Sequence, residues 1–150
     1  MAVQLSPGAA QCNPYLFYND VKAAVGFLKA AFGFEETFVD ADSDGKVHHA
    51  RIRLGAGVVM LGETNGPKER PLPEGHLGRC LNPKEAGSLN AGVYMFIDAV
   101  DAHYKKARAA GADILLEPAD MHWGDRIYCA ADPEGQFWMF ATRITNAGSR

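Results

Sequence analysis

A histidine and two arginines recur at every second position in the stretch Val47-His-His-Ala-Arg-Ile-Arg-Leu54. Side chains alternate across a strand, so His49, Arg51 and Arg53 share one face, and Ala50, Ile52 and Leu54 share the other. Charged groups are seldom placed on an inner face without a partner. A guanidinium fork suits a carboxylate, which makes this face a candidate site for an anionic ligand. The competing reading is ion pairing with Glu35, Glu36 or Asp40 across the sheet. A second candidate is Met121-His-Trp-Gly-Asp-Arg126. There Trp123 offers a flat apolar surface, Gly124 permits close approach and Arg126 can bind a carboxylate; a structural turn with an Asp125–Arg126 surface pair is the alternative. By the same alternation Tyr15, Phe17, Tyr94, Phe96, Phe137 and Met139 share an inner face, as core or as the wall of a cavity. The expected arrangement has Tyr15, His49, Arg51, Tyr94 and Met139 around a cavity, with Trp123 and Arg126 at its mouth.

Other chemistries lack their residues. The chain has no Gly-x-Ser-x-Gly elbow and no phosphate-binding glycine loop. Cys129 falls in a strand and reads as an inert buried thiol. His48 and His49 are adjacent on a strand, so they point to opposite faces and cannot hold one ion together. His76, His103 and His122 are scattered, and His103 reads as a solvent-side helix residue.

These groups must be positioned by a unit that occurs twice. Tyr15-Leu-Phe17 opens a helical stretch through Val21, Ala23, Ala30 and Ala31 to Gly33. Tyr94-Met-Phe96, 79 residues later, opens another through Val100, Ala102, Ala109 and Ala110 to Gly111. After a one-residue slip, Gly57–Leu61 aligns with Gly135–Met139. Val21, Ala24, Val25, Leu28 and Phe32 fall at helical spacing after a possible Asn19 or Asp20 cap. Strands are expected at 13–18, 34–40, 47–54 and 58–63 in the first unit, and at 93–97, 112–117, 125–131 and 136–143 in the second, with Asp98 as a possible helix cap. The result is an α+β domain of two βαβββ units, about 13–63 and 91–143, forming an eight-stranded incomplete barrel around a central cavity. Residues 64–90, rich in proline and glycine, form a linker, residues 1–12 a loose lead-in, and 146–150 a frayed tail.

At 150 residues the chain is one domain, able to bury about 70% of its unfolded surface. A net charge of −3 gives no reason to expect nucleic acid or an anionic membrane as partner. No apolar run approaches the roughly 20 residues of a membrane span. Three widely spaced cysteines and the lack of a secretory pattern in 1–10 fit a reducing cytoplasm.

The stretches Val93–His103, Ala109-Ala-Gly-Ala112, Trp123-Gly-Asp-Arg126 and Asp132-Pro-Glu-Gly-Gln-Phe-Trp-Met-Phe140 resemble the glyoxalase/bleomycin-resistance/extradiol-dioxygenase superfamily, also called vicinal oxygen chelate. Asn13–Val21 and Asn82-Pro-Lys-Glu-Ala-Gly87 carry the same likeness, to its glyoxalase-like and PhnB-like bacterial branches. The resemblance covers about residues 11–143 and implies the fold more firmly than the reaction. Metal-dependent members place His, Gln or Glu at positions that here align with Asn13, Leu61, Gly92 and Met139. These supply no hard-ligand set, so neither metal nor cofactor is expected. The resemblance leaves three classes open: a lyase- or isomerase-type enzyme on a small anionic or carbonyl substrate, a drug-sequestering protein of the bleomycin-resistance kind, and an interaction domain with a vestigial pocket. Proteins of this fold commonly pair, and the sheet edges and long linker need cover, so a homodimer is expected.

Overall fold

Asp20 starts the first helix. Its carboxylate accepts the Ala23 N–H at 2.9 Å, and Gly33, at φ 78°, ends the helix in the left-handed region. Between these caps, Val21–Phe32 (α1) buries Val21, Ala24, Val25, Leu28, Ala31 and Phe32 along one stripe. The computed structural model of the chain describes residues 3–64 and 80–144. Most of the linker, including His76, and the tail at 146–150 lie outside the described residues.

The first unit comprises β1 (Tyr15–Tyr18), α1, β2 (Glu35–Ala41), β3 (Val47–Leu54) and β4 (Gly57–Glu63). A short helix, α2 (Pro83–Ala86), precedes the second: β5 (Gly92–Phe96), α3 (Val100–Ala109), β6 (Asp113–Asp120), β7 (Asp125–Ala131) and β8 (Phe137–Arg143). The strand orders are β1-β4-β3-β2 and β5-β8-β7-β6. In each sheet the first strand runs parallel to the last, and the other pairs are antiparallel. The fold is thus α+β with two βαβββ units and no closed barrel.

The repeat is closer than the sequence alignment suggests. Tyr15 pairs with Met60 and Tyr94 pairs with Met139. Both 94 minus 15 and 139 minus 60 give 79, so the offset runs unbroken and the one-residue slip is absent from these strands. Met60, not Leu61, is therefore the structural counterpart of Met139.

Each sheet has a helix-covered face and an open face. Ala50, Ile52, Val59 and Leu61 are buried on the first helix face; Tyr128, Ala130, Trp138 and Phe140 are buried on the second. These two faces share one core. Phe32 of α1 packs its ring against Trp138, Phe140 and His103, at centroid distances of 5.7, 4.8 and 6.1 Å. The helix-covered sides of the two units thus meet in one shared core, while the sheets do not close into a full barrel. The reason is apolar surplus. Phe32, Phe34, Trp138 and Phe140 cannot all be covered by their own unit's helix, and they cover one another instead.

The Asp132–Gln136 turn locks this junction. The buried Asp132 carboxylate accepts from the Glu134 and Gln136 N–H groups, and also from Tyr18 Oη at 2.7 Å and Trp138 Nε1 at 3.1 Å. Burial pushes this carboxyl up from its ordinary range, against those four bonds. Glu134 accepts the Asn19 and Asp20 N–H groups at the start of α1. His103 belongs to the same junction and is not a solvent-side residue. Its Nδ1 lies 2.6 Å from Tyr128 Oη and its Nε2 2.7 Å from the Phe32 carbonyl. At the start of α3, Val100 N–H donates to Thr142 Oγ1 across the sheet, and no Asp98 cap forms.

The β2–β3 turn is held by a different device. His48 Nδ1 lies 2.6 Å from Glu63 Oε2 and its Nε2 lies 3.0 Å from Asp42 Oδ2. Only the imidazolium can donate to both carboxylates. The bond to Glu63, then that to Asp42, raises His48 from its ordinary 6.5. Asp42 is lowered, first by the Lys46 N–H and then by His48. Burial would raise Glu63, but Lys46 and His48 together hold it below its ordinary value. A raised folded pKa stabilises the protein below the unfolded value and loses that contribution as pH rises through the folded one. The two lowered carboxylates contribute above their ordinary range and lose that contribution as pH falls through their folded values. The stability gap between the wild type and His48→Gln should therefore narrow from about pH 6 to about pH 9. Urea midpoints at the two pH values measure it, and an unchanged gap would reject the imidazolium clamp.

Candidate functional site

The parity of β3 is as the alternation requires: Ala50 and Ile52 are buried against the helix side, and His49 and Arg51 stand on the open face. There Tyr15 Oη lies 3.2 Å from His49 Nδ1, and the two rings stack at 5.6 Å. Close approach explains Gly62 beneath them, since a Cβ at that position would sit 2.3 Å from Tyr15 Oη. Arg51 lays its guanidinium over the Phe38 ring, 5.6 Å from the centroid. Its Nη1 donates to the Pro7 carbonyl, and its Nε is buried without a partner among the described residues.

Ion pairing separates the three arginines. Arg53 pairs with Glu35 at 2.8 Å. Arg126 forms a two-pronged bond to Asp101 of α3, at 2.9 Å for each prong, and a third to Asp120 at 2.7 Å. Arg126 thus sits on the helix side of its sheet, on the opposite face from the expected cavity mouth, and those two carboxylates hold its pKa above the ordinary value. No carboxylate pairs with Arg51 among the described residues.

The second open face carries Tyr94, Phe96, Met139 and Trp123. Its organising group is Asp125, which the sequence offered only as half of a surface pair with Arg126 and which pairs with Arg143 instead. Asp125 Oδ2 accepts from Tyr94 Oη at 2.8 Å and from Trp123 Nε1 at 3.1 Å, and Oδ1 accepts from Arg143 Nη1 at 2.8 Å. The Arg143 bond chiefly holds this carboxyl below its ordinary value. One buried carboxylate therefore fixes two half-exposed rings. The signal for it was the pairing of Asp125 with Arg143 at the sheet end, which needs the register of β7 and β8. Behind these rings Ile127, Cys129 and Ala141 form a small apolar cluster with Phe137 and Met139. Burial raises the Cys129 thiol, which fits an inert role.

Tyr15, His49 and Arg51 are thus brought together on one face, and Tyr94, Trp123 and Met139 on the other. The seam between β4 and β5 forms a groove of about 360 Å³ lined in part by Val59, Tyr94, Met95 and Phe96. No described helix is long and apolar enough to cross a membrane.

A metal does not fit the family positions. Asn13 closes a turn with Ala10, donating to its carbonyl and accepting its N–H. Leu61 lies buried on the helix face, and its open-face neighbours are Met60 and Gly62. Gly92 and Met139 complete the set without a hard ligand. Among the described residues no group of three His, Cys, Asp or Glu side chains converges to hold an ion.

Two modules of this topology, each with one helix and an open sheet face, define the class, and the chain belongs to the Glyoxalase/Bleomycin resistance protein/Dioxygenase superfamily, whose model matches residues 9–140. An uncharacterized protein of Mycobacterium bovis is 30% identical over 138 residues, covering 92% of this chain and 84% of that protein. The putative glyoxylase CFP32 of the same species is 37% identical over 73 residues, which is 47% of this chain and 28% of that one. Among solved structures, TioX from Micromonospora sp. ML1 superposes with a TM-score of 0.71 at 29% identity, over 91% of this chain and all of that one.

Proposed function

We propose that this protein binds a small anionic or carbonyl compound without a metal or other cofactor, as a lyase- or isomerase-type enzyme working as a cytoplasmic homodimer. The observation that carries this reading is Arg51. Arg53 and Arg126 are neutralised by carboxylates, whereas Arg51 stands on an aromatic face with, among the described residues, a carbonyl as its hydrogen-bond partner. A carboxylate placed there gains a charge-assisted bond and covers Phe38 and Tyr15. Beside it the Tyr15–His49 pair offers a phenol and an imidazole in contact, the groups that proton transfer next to a carbonyl needs. Tyr94, Trp123 and Met139 then supply the apolar wall. Arg126 drops out of the ligand set.

The dimer rests on what one chain leaves uncovered. Tyr15, Tyr94, Phe96 and Trp123 are 41%, 37%, 64% and 42% exposed on the two open faces. A second copy can lay its second open face over the first open face of its partner, giving two enclosed sites per pair. A second reading, sequestration of a planar drug without turnover, draws support from the aromatic rings fixed by Asp125.

Titration calorimetry with a panel of small carboxylates and oxo acids tests the site. Arg51→Ala is expected to weaken binding by about 1.5–3 kcal/mol, with the fold intact. Equal binding by the wild type and Arg51→Ala rejects it. Recovery of every bound compound unchanged after long incubation, followed by NMR, favours sequestration over catalysis.

A further inference from the structure

The chain ahead of β1 is more ordered than a loose lead-in. Ser6-Pro7-Gly8-Ala9 is a tight turn closed by Ala9 N–H donating to the Ser6 carbonyl at 3.0 Å. Proline stands second and a glycine at φ 73° stands third, the pattern of a type II turn. Such a turn uses the first residue's carbonyl for its internal bond and leaves that of the second outside. That free carbonyl is Pro7's, and it accepts from Arg51 Nη1. Gly8 lies over the same guanidinium, with its Cβ position 3.6 Å from Nη1. The Ala10–Asn13 turn then returns the chain to β1.

We infer that residues 6–13 form a strap that closes the Arg51 site, the Pro7 carbonyl standing where an oxygen of an anionic ligand binds. The inference rests on the reading of Arg51 as the anion site. A carbonyl is a neutral dipole and satisfies one donor of a guanidinium, while Nε beside it stays buried without a partner among the described residues. A carboxylate brings two oxygens and a full charge, so it is the stronger partner and displaces the turn. Among the described residues little else holds the turn end of the strap. Val3 and Leu5 are exposed, and residues 3–8 bury no side chain. Ligand entry and strap release are then one exchange at Arg51, and the strap sets how strong an anion must be to enter.

The test uses benzoate, a flat carboxylate, titrated calorimetrically into the full-length protein at fixed ionic strength. Gly8→Val puts a β-branched residue at a left-handed position, which opens the turn without touching the core. Pro7→Gly, which loosens the same turn by chain entropy, is the second variant. Both are expected to bind benzoate about tenfold tighter than the wild type, and Arg51→Ala should abolish the gain in either background. Equal affinity in the wild type and both strap variants, with Arg51 still required, overturns the strap and leaves the anion site standing. Binding by none of the proteins, or binding that survives Arg51→Ala, overturns the anion site and the strap with it.

Discussion

Trp138→Ala is expected to cost about 3–5 kcal/mol of folding stability, the usual range for emptying a large aromatic site. Trp138 is fully buried and touches both units. Phe32 and Phe34 reach it from the first, at 5.7 and 5.4 Å between ring centroids, and Phe140 stacks on it from the second. Its indole N–H also satisfies Asp132, so the substitution removes a bond to a buried carboxylate as well as a volume. Trp138→Phe separates the two effects. It keeps most of the packing and should cost about 1–3 kcal/mol, the range for a buried acceptor left short of a donor. Tyr18→Phe removes the other donor to the same oxygen and should be non-additive with Trp138→Phe, because both changes act on Asp132. Urea unfolding followed by circular dichroism gives the three single values and that of the Tyr18→Phe, Trp138→Phe double variant. A loss below about 1 kcal/mol for Trp138→Ala would mean that the two units fold without this shared core.

The strand pattern carried much of this into the sequence and the packing of the helices did not. In β3 the alternation of His49, Ala50, Arg51 and Ile52 decides the face of each residue, because the period of two leaves no freedom once Ile52 is inside. Tyr15 and Tyr94 were recognisable as equivalents because their neighbours repeat in order. The Leu61 alignment failed by one residue, which is enough to move a side chain to the other face. Arg126 failed differently. It was read with the preceding loop, although the strand expected at 125–131, which β7 matches, already commits Asp125 and Arg126 to opposite faces. Asp101, the partner that claims Arg126, is distant in sequence and belongs to a helix whose docking the sequence does not specify. His103 was misplaced for the same reason, since one of its partners is a carbonyl at the end of α1. The short α2 was legible and passed over. Asn82-Pro-Lys-Glu85 carries a capping box, with Asn82 accepting from Glu85 N–H at 2.9 Å and Glu85 reaching back to Asn82 N–H.

The pairing of chains carries the other large expected effect. At micromolar concentration the wild type is expected to sediment as a dimer, and Phe96→Glu as a monomer. Phe96 is 64% exposed and stacks edge-on with Tyr94 at 5.5 Å, so the monomer should tolerate a polar residue there with little change in its own stability. An aromatic anchor at the centre of an interface typically contributes about 2–4 kcal/mol, which a charge facing an apolar surface removes. The dissociation constant should therefore rise by about two orders of magnitude. Leu89→Glu is the control, because Leu89 is 52% exposed but belongs to neither sheet. It should leave the dimer intact. Trp123 supplies an independent readout. It is 42% exposed on the second open face, while Trp138 is fully buried and reports only on the core. If the first face of one copy covers the second face of the other, dilution of the wild type should shift Trp123 emission to the red. Phe96→Glu should start from the shifted value at all concentrations. A wild type that is monomeric at micromolar concentration, with emission independent of dilution, would leave both open faces bare and remove the enclosed site that the proposed function requires.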